Sequence, residues 1–190
     1  MELLIIGIII FFGIHLVPIF EVKPRFIQRF GKKPYMALFA LISALGLGLM
    51  IYGKGHADFI AVWQPMNGAH WIPVIIMWPV SMLFVWAEIP CRMRIILRHP
   101  MLIGVALFSV SHLFANGDLA TILLMGSFGV YALFTMMRLG FRKEDNHNTK
   151  PIQDRSLGWD VFGVIIGTLA YILVFTFHEQ ITRMPIPVSF

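Results

Sequence analysis

Cysteine is almost missing from this chain: Cys91 is the only one in 190 residues. No intramolecular disulfide can form, and no CxxCH motif for covalent cofactor attachment exists. Charge is scarce as well, at 13% of residues, with ten acidic side chains against fifteen Lys and Arg. A soluble domain of this size carries more charge than that. There is also no internal repeat and no low-complexity tract. What the chain has in excess is apolar: 58% hydrophobic residues and a mean hydropathy of +0.78. These values describe an integral membrane protein. The length accommodates about six spans of roughly 20 residues with little left for a soluble domain, so 1–190 reads as a single transmembrane domain. The net charge of +5 then bears on membrane orientation and carries no implication for nucleic acid.

Six apolar segments stand out, over residues 3–20, 34–52, 71–89, 101–115, 119–139 and 159–177. Met1-Glu2 followed by the apolar run has no basic n-region and no A-x-A site, so it reads as the first span and not as a cleaved signal. The third segment contains Pro73 and Pro79, which membrane helices tolerate. The Asn116-Gly117-Asp118 turn is tight and predicts a helical hairpin of the fourth and fifth segments, packed near the first. The expected fold is an all-α bundle of about six transmembrane helices.

Basic residues fix the orientation. The first loop carries Lys23, Arg25, Arg29, Lys32 and Lys33. The third carries Arg92, Arg94 and Arg98, and the fifth carries Arg138, Arg142, Lys143, Lys150 and Arg155. Alternate loops and termini carry Lys54 and Arg183 alone. Thirteen of the fifteen cations thus fall on one side, which puts the odd loops in the cytoplasm and both termini outside. The stretch 141–156 reads as a flexible linker. The 52–70 loop, with Trp63, Pro65 and Met66, reads as lying on the outer membrane face.

Seven histidines form the candidate chemical inventory. His147 sits in the charged linker, His178 beside Glu179 at the outer end of the last segment, and His56 and His70 in the outer loop without a zinc-site spacing. His99, next to Arg98, lies at the cytoplasmic surface. His15 and His112 lie inside apolar runs, where an imidazole is costly and has a partner or a task. One reading is structural glue between helices. The other is axial ligation of a b-type heme in an apolar interhelical pocket, with Gly13 and Gly104 permitting close approach of the macrocycle. Their depths differ by roughly 10 Å along the membrane normal, and His99 lies about 20 Å from His112 along one helix, so His99 and His112 cannot share one iron.

Gly13-Ile14-His15, Arg98-His99-Pro100-Met101-Leu102-Ile103-Gly104 and Ser111-His112-Leu113-Phe114-Ala115-Asn116-Gly117-Asp118-Leu119 together resemble the NnrU family of bacterial inner-membrane proteins. The likeness extends over essentially the whole chain, and its most specific part is Arg98 to Leu119. The family is tied to expression of nitrite and nitric oxide reductases in denitrifying bacteria. It is similar to plant zeta-carotene isomerase, a membrane enzyme that carries heme b and isomerises a cis double bond. The resemblance implies a multi-pass protein of the bacterial inner membrane, with heme b on His15 and His112 and with Arg98 and His99 beside the cofactor or at the cytoplasmic surface. It implies an isomerase-like or nitrogen-oxide-linked role, with a hydrophobic small molecule or nitric oxide as partner.

Two other readings compete. Arg98-His99-Pro100 also resembles the RHP motif of integral-membrane methyltransferases and sterol reductases, with Leu102 where that motif has tyrosine. In that reading Arg98, His99 and Glu144 would bind S-adenosylmethionine or a nicotinamide at the cytoplasmic side. The third reading is a non-enzymatic regulatory or assembly factor whose histidines only pack.

Overall fold

The computed structural model describes residues 1–18, 22–140 and 156–182. Among these the regular elements are helices, and the extended chain is confined to an isolated bridge between Ala61 and Asp118. In order they are α1 (Glu2–Leu16), α2 (Val22–Phe30), α3 (Lys32–Gly55), α4 (Trp71–Glu88), α5 (Arg92–Ile96), α6 (Pro100–Ala115), α7 (Leu119–Gly140), α8 (Leu157–Thr176) and α9 (His178–Thr182). The all-α expectation holds. Four helices, α3, α4, α7 and α8, are long and apolar enough to cross a membrane. Helices α1 and α6 are apolar but shorter; at about 1.5 Å per residue they reach roughly 22–24 Å against a hydrocarbon core of about 30 Å. The first helix stops at Leu16, short of the expected residue 20, because Pro18 has no N–H to continue the ladder. The segment expected as the first loop folds into α2.

The chain divides into two compact units. The first comprises Met1–Ala61 with Asp118–Leu124. Here α1 lies antiparallel on α3: Leu4 meets Gly53, Gly7 meets Met50, and Phe11 meets Gly46. Membrane helices cannot use water exclusion between themselves, so they gain by close backbone approach at small residues. A Cβ at Gly7 would stand 2.7 Å from the Met50 nitrogen, and one at Gly46 would stand 2.8 Å from the Phe11 nitrogen. Leu4 and Met50 are fully buried by this contact. Gly31, at φ 88 and ψ 164, separates α2 from α3 in a conformation that L side chains rarely adopt.

The second unit comprises Val62–Gly117 and Met125–Phe190. Its centre is α4, with Val80, Met82 and Leu83 buried. Against it α8 runs antiparallel, held by Tyr171 Oη donating to the Val74 carbonyl at 2.8 Å, Trp78 Nε1 to Thr168 Oγ1 at 3.1 Å, and Trp86 Nε1 to the Asp160 carbonyl at 3.1 Å. Gly163 accepts the Trp86 ring and Gly167 the Met82 backbone. The α6–α7 hairpin forms as expected. Ser109 Oγ donates to the Met125 carbonyl at 2.5 Å, Gly129 lies over Ser109, and the Phe108 and Phe128 rings meet edge to face at 6.0 Å. Buried Cys91 directs its thiol at the Trp86 carbonyl, 3.5 Å away. Elsewhere large apolar side chains point outward, Leu41, Ile75 and Val130 among them. In water such a surface would drive aggregation, whereas lipid accepts it at no cost.

Candidate functional site: back-bonded histidines

His15 occupies the last turn of α1 in the first unit and is half-buried. Its Nδ1 lies 2.7 Å from the Phe11 carbonyl, four residues back. The ring stacks on Phe11 (centroids 4.2 Å apart, planes at 27°) and meets Phe39 of α3 at 5.0 Å. A carbonyl can only accept, so Nδ1 must carry the proton there. In the neutral ring, Nε2 then holds the lone pair and is the atom that would meet a metal.

His112 repeats this arrangement in the second unit. Its Nδ1 donates to the Phe108 carbonyl at 2.8 Å, with Ser111 Oγ 3.5 Å away and the Phe108 ring centroid at 4.6 Å. The helix end beyond it is pinned: the backbone N–H and the side-chain amide of Asn116 both donate to the His112 carbonyl at 3.0 Å. His178 opens α9, the short helix that follows α8. His56 shows that the back-bond by itself is not specific. Its Nδ1 also bonds four residues back, to Tyr52 at 2.8 Å, yet its side chain is exposed. The back-bond sets the tautomer, and burial separates His15 and His112 from His56.

The two histidines belong to different units, and each stands on its own local geometry. At the level of donor chemistry they fit a heme, because a porphyrin supplies four nitrogen ligands itself and needs one or two imidazoles from the protein. Among the described residues no group of three or more His, Cys, Asp or Glu is placed to hold a bare metal ion. Of the two glycines expected to admit a macrocycle, Gly104 is taken up by packing instead. A Cβ there would strike the Phe84 ring at 2.7 Å, so its smallness brings α6 onto α4; Gly13 faces open space.

Arg98 and His99 form the α5–α6 junction. Arg98 is exposed and takes φ 57, the left-handed position after a helix that glycine normally fills. His99 is the N-cap of α6 with no side-chain cap bond, its carbonyl accepts the Ile103 N–H at 3.0 Å, and Pro100 opens the helix. The junction stands at the opposite end of α6 from His112. Glu144, with Arg142, Lys143 and Asp145, lies outside the described residues, as do His147 and most of the expected linker.

Two polar clusters escaped sequence reasoning. In the first unit, Lys54 at the end of α3 pairs with Asp118 at 2.5 Å. Asp118 also caps α7, accepting the Thr121 N–H at 3.0 Å and its hydroxyl at 2.6 Å. Burial pushes the Asp118 carboxyl up, but the Lys54 and Thr121 hydrogen bonds and the Lys54 charge outweigh this and hold it below the ordinary value. The available signal was that Lys54 stands nearly alone among cations in the even loops, and Asp118 is the sole acid between 101 and 139. In the second unit, Asp160 of α8 receives the backbone N–H groups of Arg92 and Met93 at 2.8 and 3.2 Å, capping α5.

These features define an all-helical protein of the membrane-spanning class, with a tautomer-fixed imidazole in each unit. The chain belongs to the NnrU protein family, whose model matches residues 3–186. No curated protein and no solved structure matches it.

Proposed function

We propose that this NnrU-family chain is a heme b-binding integral membrane protein with His15 and His112 as its axial ligands. The observation that carries the reading is their shared geometry: in both, Nδ1 is committed to the carbonyl four residues back, which leaves Nε2 as the ligating nitrogen. Outer partners of this kind orient a ligating imidazole and raise its basicity. When bound, heme b supplies a redox-active iron to an apolar site. The chain's own residues hold each imidazole in place: the Phe11 ring stacks on His15 and Phe39 meets it edge-on, while Asn116 ties down the helix end beyond His112. The role proposed is a redox-dependent, isomerase-like one or one linked to nitrogen-oxide respiration, with a hydrophobic small molecule or nitric oxide as partner.

The family and the charge asymmetry of the loops further support six spans in a bacterial inner membrane with both termini external. In that arrangement α1 and α6 sit where the bilayer thins or flanking residues snorkel. The test is the absorption spectrum of protein purified from heme-replete cells. A Soret band that sharpens on reduction is expected, and folded but colourless protein would overturn the proposal.

A second reading draws on the left-handed backbone of Arg98. Residues held in uncommon conformations cluster at ligand clamps, and Arg98-His99-Pro100 would then bind a diffusible cofactor from the cytoplasm. Calorimetry with S-adenosylmethionine and with a nicotinamide decides it; no heat of binding with either removes it.

A further inference from the structure

We infer that α2 and the first turn of α3 form a docking surface for anionic phospholipid headgroups. Lys23, Arg25, Arg29, Lys32 and Lys33 fall within this short stretch, and no Asp or Glu occurs from residue 22 to 57. Among the described residues of the first unit, the acids are committed or distant. Glu2 opens α1 and Asp58 follows α3, both at the far end of the antiparallel α1–α3 pair, and Asp118 is already taken by Lys54. Glu21 is the one acid in the connection, against five cations. Among the described residues of the first unit, then, no acid stands beside these cations, and an anionic headgroup can take that place.

The helix is built for the headgroup plane. Phe26 and Ile27 are half-buried, with the Phe26 ring 5.8 Å from that of buried Tyr35 in α3, while Arg25, Gln28 and Arg29 are exposed. Phe30 is 54% exposed, and the Arg29 guanidinium lies 5.4 Å from its ring centroid. An aromatic ring left outside beside cations is the composition of an interfacial amphipathic helix, whose apolar part enters the acyl boundary while its charges meet phosphates. The next turns of α3 select lipid as the occupant over an acidic protein. Exposed Met36, Leu38 and Leu41 begin directly after Lys32 and Lys33, so the cationic band passes straight into a lipid-facing surface. Each such cation strengthens association with an anionic surface roughly fivefold.

The test uses the full-length protein reconstituted in phosphatidylcholine bilayers carrying either spin-labelled phosphatidylglycerol or spin-labelled phosphatidylcholine. Wild-type protein should immobilise the anionic lipid several-fold over the neutral one, and Arg25→Gln/Arg29→Gln/Lys32→Gln/Lys33→Gln should abolish that preference. Two arms separate loss of charge from loss of fold. Arg25→Lys/Arg29→Lys should keep the preference, and high salt should erase it in the wild type without any substitution. Inorganic phosphate should not displace the lipid. Exposed Arg94, in α5, serves as the control, and Arg94→Gln should leave the preference intact. Equal immobilisation of both lipids, a preference that survives the quadruple substitution or high salt, or displacement by free phosphate would each overturn the proposal. So would an equal loss on Arg94→Gln, which would mean a diffuse field and no defined surface.

Discussion

Lys54→Met isolates the charge of the Lys54–Asp118 pair, because methionine keeps the length of the stem and removes the ammonium. The two side chains are 12% and 4% exposed, so the pair is largely desolvated. Removing one partner of such a pair leaves the other charge buried, at a cost of about 3–5 kcal/mol. Here the lower end applies, near 3 kcal/mol, because the Thr121 N–H and hydroxyl still donate to the abandoned carboxylate. Asp118→Asn keeps an oxygen able to cap α7, since asparagine caps as well as aspartate. It abandons Lys54 instead, whose stem can carry the ammonium toward water, so about 1–3 kcal/mol is expected. Lys54→Met/Asp118→Asn removes both charges and keeps the cap. It should therefore cost less than the two single changes together, with a coupling of about 2 kcal/mol. Unfolding of the four proteins in one detergent, followed by far-ultraviolet circular dichroism, measures this. Costs that simply add, within about 0.5 kcal/mol, would refute the reasoning.

The same pair predicts an acid-labile step. The folded Asp118 carboxyl titrates below the ordinary 3.8, so its contribution is fully present above the unfolded value and is lost as pH falls through the folded one. Wild-type stability should drop more steeply below pH 3.8 than that of Asp118→Asn; parallel curves would count against it. At the α1–α3 contact, Gly7→Ala should destabilise by about 1–3 kcal/mol through overpacking against Met50. Gly48→Ala, where an added Cβ meets nothing within 4 Å, should be neutral or gain up to about 1 kcal/mol in the same unfolding assay. On the proposed heme, His112→Ala should lose the cofactor and His15→Ala should retain it with a five-coordinate spectrum, because Asn116 anchors His112 while His15 stands one residue from its helix end. Heme retained in the first variant and lost in the second would reverse that assignment. Arg98→Gly should raise the melting temperature and Arg98→Val lower it, since φ 57 suits glycine and crowds a β-branched residue.

Sequence by itself determined the class and much of the layout. Scarce charge and long apolar runs leave helices as the only way to satisfy a backbone in lipid, so the all-α architecture follows from composition. The α6–α7 hairpin was legible in Asn116-Gly117-Asp118, and the family in the residues around His15 and from Arg98 to Leu119. Periodicity was of little use at the end of α1, which is apolar on every side and carries no stripe from which to read a face. Sequence alone therefore runs α1 on to residue 20, and it reads α2 as a loop because Pro24 and three cations mask its apolar side. Tertiary structure decided which small residues serve which neighbour: Gly104 takes Phe84, and Gly7 takes Met50. It also decided that Lys54 meets Asp118 across 64 positions of chain, and that His15 and His112 each turn Nδ1 to their own helix. These are matters of rotamer and register, set by side chains far apart in sequence that come within hydrogen-bond range only once the helices are packed.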